Sequence, residues 1–132
     1  MTRRNLFAAV AAVGVLAVVG CGPNKLNVEK AFSLSHDQPA QAFDSPAQGA
    51  AQTVKVEVSS DKPVDVYVLL GTTAADAVNL GEKDLKAKAK ESKLNTKGDT
   101  LSVAVPAGQA VTVWVGRNGT TQTASGKVKL SN

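Results

Sequence analysis

The sequence predicts a mainly β protein, an antiparallel β-sandwich or barrel of about six to seven strands. In several short runs, valine or leucine occupies every second position and is expected to face inward, which is typical of strands that bury one face. Segments rich in Pro, Gly, Asn, Asp and Ser separate these runs and favour turns. The runs lie at Thr53–Val58, Val64–Leu70, Leu101–Val105, Val111–Val115 and about residues 121–130, and a first strand is expected at 28–34.

Two of the connections predict hairpins. Thr53–Val58 and Val64–Leu70 alternate in phase, and the segment between them, Ser59–Pro63, combines polar side chains with a proline. Such a segment between two β-branched runs is typical of a turn, so we expect an antiparallel pair. Near the C-terminus, Asn118-Gly119 suits the positive φ of a type I′ hairpin turn.

Two stretches depart from the alternation. His36–Gln52 contains two prolines and a glycine among many Ala and Gln residues, and it predicts an irregular linker. Ala74–Leu80 favours a short helix, with Thr72 or Thr73 as its N-cap and Gly81 just past its end.

Residues 82–93 are open to two interpretations. Lysine and alanine are good helix formers, which favours a helix. The strict alternation of Leu85–Lys90 instead places Leu85, Ala87 and Ala89 inward and three lysines outward, which favours an edge strand protected by charge. We expect the strand. A helix here would change the class from all-β to α+β.

The N-terminus is typical of a cleaved signal peptide. Arg3 and Arg4 precede the apolar segment Leu6–Val19, which as a helix would reach about 21 Å and is too short to span a membrane. Val18-Val19-Gly20-Cys21 resembles the lipobox of bacterial lipoproteins. The resemblance implies cleavage between Gly20 and Cys21 and a lipid on the Cys21 sulfur, with palmitate-type acyl chains. Two or three acyl chains hold a protein firmly on a membrane.

The expected location is the bacterial cell envelope. Residue 22 is Gly rather than Asp, so by resemblance to envelope lipoproteins the outer membrane is favoured over the inner one. Thr2–Phe7 also resembles a twin-arginine export motif, but it lacks the usual trailing lysine, so ordinary secretion is favoured. The expected organisation is a signal peptide at 1–20, a lipidated N-terminus, tether and linker at 21–50, and a sandwich domain at 51–132.

The net charge and the cysteine content limit the classes of partner that are expected. Cleavage removes Arg3 and Arg4 and no acidic residue, so the net charge of +4 falls to +2, and a nucleic-acid partner is not expected. Cys21 is the single cysteine, so once acylated it leaves no disulfide. The expected partners are the membrane, through the lipid, and an envelope protein or a polysaccharide.

The domain also resembles a known family of sandwiches. The run Val64–Val68 after Ser59–Pro63, together with Val103–Gly108 before the Val111–Val115 strand, resembles the bacterial pre-peptidase C-terminal type of domain. The match covers roughly residues 52–131. It implies a jelly-roll-like sandwich that serves as an accessory module contacting carbohydrate or protein. No functional residue carries over, because the matched positions are turns and core alternation.

Catalytic and metal chemistry find little support in the sequence. His36-Asp37 pairs the single histidine with a carboxylate, but it lies in a polar, proline-bordered loop and is expected to be solvated. Asp61, Asp65 and Asp99 together offer oxygen ligands to calcium only if they meet, and they lack the dense spacing of a dedicated loop. We therefore expect a non-enzymatic protein with no metal site and no cofactor.

Two groups of residues are candidates for binding. Tyr67 and Trp114 are out of phase with the valine stripes, so they are expected on the outer face of the sheet, either exposed for stacking on a sugar or partner, or covered by residues 71–98. A basic edge at Lys83, Lys86, Lys88 and Lys90 could rest on anionic lipid headgroups. The leading hypothesis is a lipid-anchored, non-catalytic module that contacts a protein or an extracellular polymer. The alternative is a structural or envelope-assembly lipoprotein held against the membrane by its lysines.

Overall fold

The computed structural model describes residues 25–118 and 123–132. The strand pairs in this part of the chain are antiparallel, so the expected mainly β antiparallel sandwich is confirmed. The expected signal peptide and the lipid site at Cys21 lie outside the described residues. Within them, no helix is long and apolar enough to cross a membrane. The elements are β1 (Asn27–Leu34), β2 (Ala40–Asp44), β3 (Gln52–Leu70), α1 (Ala74–Ala77), α2 (Glu82–Lys88), β4 (Glu91–Val105), β5 (Val111–Arg117) and β6 (Ala124–Ser131).

The long strand β3 belongs to both layers of the sandwich. Along its first half it pairs with β6 on one edge and with the end of β4 on the other. Along its second half it pairs with β5 on the first edge and with the beginning of β4 on the other. The strand order is β1-β6-β3-β5-β2, with β4 on the opposite edge of β3. We call β1, β6 and the adjoining halves of β3 and β4 layer A, and β2, β5 and the other two halves layer B.

This topology corrects the first expected hairpin. Ser59–Pro63 is not a turn but an irregularity within β3, where the register with β4 shifts between Ser59 and Val64. The Ser60 hydroxyl donates to the Lys62 carbonyl oxygen over 2.7 Å, so the polar segment closes a local bend and the strand continues. Alternation does not distinguish a hairpin from a bent strand, because both keep the same valines inward.

The second expected hairpin is also wrong, because β5 and β6 do not pair with each other. β5 pairs with β2 and β3, whereas β6 pairs with β1 and β3, so the two strands follow one another along one edge of β3. The turn expected at Asn118-Gly119 lies in part outside the described residues, which stop at Asn118 and resume at 123.

The sandwich begins earlier than the sequence indicates. β1 confirms the strand expected at 28–34, and β2 lies inside the stretch expected to be an irregular linker, His36–Gln52. β2 forms because Phe43 packs against the main core while the backbone pairs with β5. Asn27, rather than residue 51, is therefore the first strand residue of the domain.

The helix α2 replaces the edge strand expected over Leu85–Lys90. Two acidic residues in its first turn and two lysines in its last turn complement the helix dipole. Leu85 is 1% exposed and is the one buried residue of the helix, whereas Ala87 is exposed, so the sequence alternation does not correspond to two faces here.

The helix α1 confirms the start and the cap of the expected short helix, but it ends at Ala77 rather than at Leu80. The Thr73 hydroxyl oxygen accepts a hydrogen bond from the Asp76 backbone N–H over 3.1 Å. Gly81, expected to end this helix, instead stands at the N-cap of α2.

A single main core lies between the two layers. The valines and leucines expected to face inward form it, with Leu26, Phe32 and Leu34 from the N-terminal side. Both halves of β3 contribute to it, so the layers share one core. The stripe residues in this core are Val54, Val56, Val58, Val64, Val66, Val68, Leu101, Val103, Val105, Val111, Val113, Val115, Val128 and Leu130.

The two ends of the sandwich differ in their connections. At one end, which we call the bend end, lie residues 35–39, the bend of β3 at 59–63, and residues 95–98. The Arg117 backbone N–H donates to the Pro39 carbonyl oxygen over 3.0 Å and holds two of the strands together there.

At the other end, three connections meet: residues 45–51, 71–73 and 106–110. The Gly108 N–H donates to the Gln48 carbonyl over 2.7 Å, and the Gly71 N–H donates to the Ala110 carbonyl over 3.1 Å. The chain also enters the domain here, since the Leu26 N–H donates to the Asn132 side-chain oxygen over 2.8 Å. We call this the tether end.

Candidate functional site: an aromatic pocket on layer B

The outer face of layer B carries apolar side chains under a cover. Tyr67 and Leu69 point away from the main core, as their phase predicts, but they are only 3% and 0% exposed. Ala77 of α1 and Leu85 of α2 pack on them and form a second, smaller core. Of the two alternatives for Tyr67, the structure has the covered one, because the segment that follows β3 folds back over the ring.

Trp114 on β5 is half-buried, and its ring covers Gly116 of the same strand. A Cβ atom at Gly116 would come closer than 3.0 Å to three atoms of the six-membered ring of the indole, so the ring occupies the space that a side chain would need. The register places Trp114 opposite Tyr67, and the two rings meet edge to face with centroids 5.4 Å apart at 66°. Such pairs contribute about 0.5–1.5 kcal/mol beyond the area that they bury.

These two rings form part of a pocket. Its volume is about 280 Å³, near the lower end of the roughly 300–1,000 Å³ typical of small-molecule sites. Apolar and aromatic side chains provide part of the wall, while two carboxylates and a guanidinium provide the rest. The lining residues are Asp65, Tyr67, Leu80, Glu82, Leu85, Trp114 and Arg117.

The carboxylate of Asp65 is fixed in place by the bend end. Its Oδ1 accepts a hydrogen bond from the Asn95 backbone N–H over 2.9 Å and from the Asn118 side-chain amide over 3.0 Å. Asn95 has a φ of 57°, a left-handed conformation that Asn tolerates better than most residues. The Asp65 side chain thereby ties β3, β4 and the end of β5 together beside the pocket.

The phenol of Tyr67 stays protonated in this environment. Burial raises the pKa of Tyr67 above its ordinary value of 10.0, and the carboxylates of Asp65 and Glu82 raise it further, while the Lys86 ammonium acts in the opposite direction. The hydroxyl is therefore a neutral hydrogen-bonding group at physiological pH.

An ion pair lies on α2 next to the pocket. Lys86 Nζ and Glu82 Oε2 are 3.1 Å apart on successive turns. The hydrogen bond that the Lys86 ammonium donates to the Glu82 carboxylate raises the pKa of Lys86, so this lysine remains charged. Both side chains are largely exposed, so the pair adds little to stability.

The indole N–H of Trp114 lacks a protein partner among the described residues. The indole Nε1 of Trp114 is buried, and no acceptor for it exists among the described residues. A buried donor without a partner costs about 1–3 kcal/mol, so this N–H favours any acceptor brought next to it.

The other sequence candidates do not join this site. His36 and Asp37 are exposed in the connection 35–39 and do not line the pocket. Asp61 accepts a hydrogen bond from the Ser125 N–H over 2.8 Å. Asp99 accepts from the Thr100 N–H over 3.1 Å, and its other oxygen lies 3.7 Å from Lys93 Nζ, so both carboxylates have local structural partners. Within residues 25–118 and 123–132, no three His, Cys, Asp or Glu side chains come together as a metal site would require.

The lysine-rich group lies on a helix rather than on a strand edge. Lys83, Lys86 and Lys88 belong to α2, and Lys90 precedes β4. All four side chains are exposed, as are Glu82, Asp84 and Glu91 among them, so the surface carries both signs of charge.

The sequence predicts the two aromatic residues of the pocket but not its polar wall. By sequence, Asp65 is a candidate for a calcium site alone, and no pattern points to Glu82 or Arg117. Trp114-Val115-Gly116 held a usable signal, because a glycine two residues from a tryptophan on the same strand face leaves room for the ring to lie flat.

Comparisons with known proteins support the fold. No protein-family model matches the chain, and no curated protein matches it significantly. A solved structure that it resembles is the pre-peptidase C-terminal domain of a collagenase from Bacillus anthracis, with a TM-score of 0.52 and 13% identity, over 80% of this chain and 88% of that one. At this identity the likeness shows the fold alone, and it confirms the β-sandwich that is expected from the sequence.

Proposed function

We propose that this protein is a lipid-anchored envelope lipoprotein whose sandwich is a non-catalytic interaction module for an extracellular polymer or a protein. The observation that carries the binding role is the pocket on layer B, where the indole of Trp114 lies flat beside Tyr67 within reach of two carboxylates and a guanidinium. The sequence at Gly20-Cys21 supports the anchor.

Among extracellular polymers, a polysaccharide fits this pocket best. A sugar ring is neutral, has apolar C–H faces that stack on aromatic rings, and has hydroxyl groups that bond to carboxylates and guanidinium groups. The pocket has these features, since the charges of Asp65 and Glu82 are largely balanced by Arg117 and the nearby Lys86. Its 280 Å³ suits one ring rather than a longer ligand.

A binding role fits the pocket better than a catalytic role. A tyrosine that acts as a base or nucleophile needs a lowered pKa, whereas the pKa of Tyr67 is raised. The Asp65 carboxylate already accepts two hydrogen bonds through one oxygen, which suits a fixed binding group.

Retention on an insoluble polysaccharide tests the proposal. Purified chain is incubated with peptidoglycan sacculi and, in parallel, with other envelope polysaccharides of the host. We expect Trp114→Ala to lower retention at least tenfold, and Glu82→Gln, at an exposed position, to lower it severalfold without affecting the fold. Leu94→Ala is the matched control, because Leu94 is a 47% exposed apolar residue on β4 outside the pocket.

Equal retention of the three variants would show that the pocket is not the binding site. Absence of retention on every polysaccharide, combined with capture of an envelope protein by a photocrosslinker placed at Glu82, would favour the protein partner.

The second candidate, a structural lipoprotein held to the membrane by lysines, is supported by the exposure of Lys83, Lys86, Lys88 and Lys90. Each lysine near an anionic surface contributes about 1 kcal/mol. The test is flotation of a Cys21→Ser chain with anionic vesicles, before and after the four lysines are changed to Gln. Flotation that depends on the lysines supports this candidate, and no flotation in either case excludes it.

A further inference from the structure

The tether end of the sandwich carries almost no charge. Asp, Glu, Lys and Arg make up 20% of the chain, yet the three connections at this end contain none of them. They are built from Ser, Pro, Ala, Gln, Gly and Thr, in residues 45–51, 71–73 and 106–110. The charged residues that adjoin these connections are Lys25, where the described chain begins, and the exposed Asp44, whose Oδ2 accepts from the Ala74 backbone N–H over 3.0 Å.

The bend end has the opposite character. Three connections at this end include a charged side chain: Asp37 in residues 35–39, Asp61 and Lys62 in the bend of β3, and Lys97 in residues 95–98. These side chains are exposed. A fourth connection, residues 118–123 between β5 and β6, contains no charged residue, so the contrast holds for the three connections whose residues are all described.

The path of the chain brings the uncharged end to the expected lipid anchor. Leu26 is 4% exposed, belongs to the main core and is tied to Asn132, so the domain starts at this residue. Cys21 precedes Leu26 by five residues, and five residues reach at most about 18 Å in any conformation. A lipid on Cys21 therefore keeps the tether end within that distance of the membrane.

We infer that the tether end is a membrane-facing surface, which rests on the lipid headgroups and directs the pocket away from them. The inference rests on the proposed lipid anchor. A charged group pressed against a membrane loses hydration, whereas small uncharged loops lose little, so this end tolerates close contact. The occupant is the lipid surface itself, because the anchor brings it there.

The same arrangement fixes the orientation of the pocket. Asp65 and Arg117 lie toward the bend end of layer B, and the strand from Asp65 to Leu70 covers about 17 Å. With the tether end on the membrane, the pocket opens at a distance from the lipid, where a polymer or a partner has access.

Fluorescence quenching from the membrane surface tests this orientation. The full lipidated chain is reconstituted in vesicles of phosphatidylethanolamine and phosphatidylglycerol that contain a headgroup-linked nitroxide quencher. A fluorophore is attached to one introduced cysteine: Ala107→Cys at the tether end, Lys62→Cys at the bend end or Lys83→Cys on α2. All three positions are exposed, and the acylated Cys21 does not react with the label.

We expect quenching at position 107 to exceed that at positions 62 and 83 at least threefold. Equal quenching at 107 and 62 would overturn the inference, because the domain would then tumble on its tether. Strongest quenching at position 83 would also overturn it and would favour the lysine-held arrangement. Mass spectrometry and vesicle flotation are measured on the same samples. An unmodified Cys21 with no flotation overturns the anchor and this inference together, whereas flotation without the gradient overturns the inference alone.

Discussion

The outer faces of the two layers show how the same alternation leads to different surfaces. On layer A, Lys129 of β6 stands opposite Glu29 of β1 on one side and Glu57 of β3 on the other, and all three are exposed. On layer B, the corresponding outward positions hold Tyr67 and Leu69, and two helices cover them. The inner stripes are alike, so the outward residues decide whether a layer faces water or acquires a cover.

The two outer faces also differ in how much they contribute to the free energy of unfolding. Each large apolar side chain that α1 and α2 help to bury contributes about 1.5–3 kcal/mol. An exposed pair of opposite charges on layer A contributes about 0–1 kcal/mol. We therefore expect the outer face of layer B to support stability and that of layer A to support solubility.

The largest effect should come from the core that both layers share. Val66→Asp places a carboxylate at a position that is 0% exposed, between the layers, and should abolish the cooperative thermal transition in circular dichroism. The matched control is Lys129→Asp on the outer face of layer A, which should retain the transition. A cooperative melt for Val66→Asp would contradict the assignment of this stripe to the core.

The next largest loss of stability is expected from substitution of Gly126 or Gly116, two glycines against which a neighbouring group packs closely. A Cβ at Gly126 would collide with the backbone of Ser59 and Ser60 and with Phe32, whereas a Cβ at Gly116 would meet only the Trp114 ring. Backbone is less able to move than a ring, so Gly126→Ala should cost more than Gly116→Ala, which should cost about 1–3 kcal/mol.

Urea unfolding measures both costs, and the fluorescence of the single tryptophan reports the position of the ring. Gly116→Ala should shift this emission to longer wavelength as the indole moves toward water. Gly126→Ala lies in layer A and should leave the emission of the folded state unchanged. The reverse order of costs would show that the Trp114 ring is the more rigid neighbour.

The helices that cover layer B should contribute measurably to the free energy of unfolding through Leu85 of α2. Leu85→Ala should lower the free energy of unfolding in urea by about 2–4 kcal/mol, since Leu85 is 1% exposed in the second core. Lys129→Ala on layer A should change it by less than about 0.5 kcal/mol. A similar small change for Leu85→Ala would mean that α2 does not cover the sheet in solution.

The smallest effect should be a pH dependence that belongs to layer B alone. Because the pKa of Tyr67 is raised in the folded state, its contribution to stability is complete below pH 10 and is lost as pH rises through the folded pKa. Tyr67 is the single tyrosine, so its ultraviolet absorbance at alkaline pH reports this group directly. We expect a midpoint above 10.0 in the folded protein, and an ordinary midpoint in urea.

Tyr67→Phe should remove part of the loss of stability at alkaline pH, and Lys86, whose pKa is also raised in the folded state, should account for a further part. A folded-state midpoint at or below 10.0 would indicate that the phenol is exposed and that the cover is absent.

The sequence predicts the inner stripes well because burial of one sheet face imposes its period directly on the residues. It does not predict how the strands connect. Thr53–Val58 and Val64–Leu70 have the same pattern as a hairpin or as one bent strand, and the pairing is decided by β5 and β6, which lie far away in the chain. The sequence does not predict β2, because this five-residue strand is stabilised by the packing of Phe43 and by pairing with β5.

The candidate site is predictable in part for similar reasons. Tyr67 and Trp114 could be identified from their phase alone. Glu82 lies beside these rings because α2 crosses layer B. The sequence predicts a strand there instead, because the alternation of Leu85–Lys90 resembles a strand more than a helix with one buried residue. Arg117 and Asp65 meet the aromatic rings through the register of β3 and β5, which no local pattern specifies.

The ladder between β1 and β6 has a mechanical consequence. β1 follows directly after the expected anchor and pairs with β6 through eight successive residue pairs. A force between a membrane at the tether end and a polymer held in the pocket would act parallel to these strands. Under such shear the hydrogen bonds of the ladder share the load and must break together, whereas peeling would break them one at a time. The edge strand β1, which follows the expected anchor in the chain, is thus placed to act as a mechanical clamp for the whole domain.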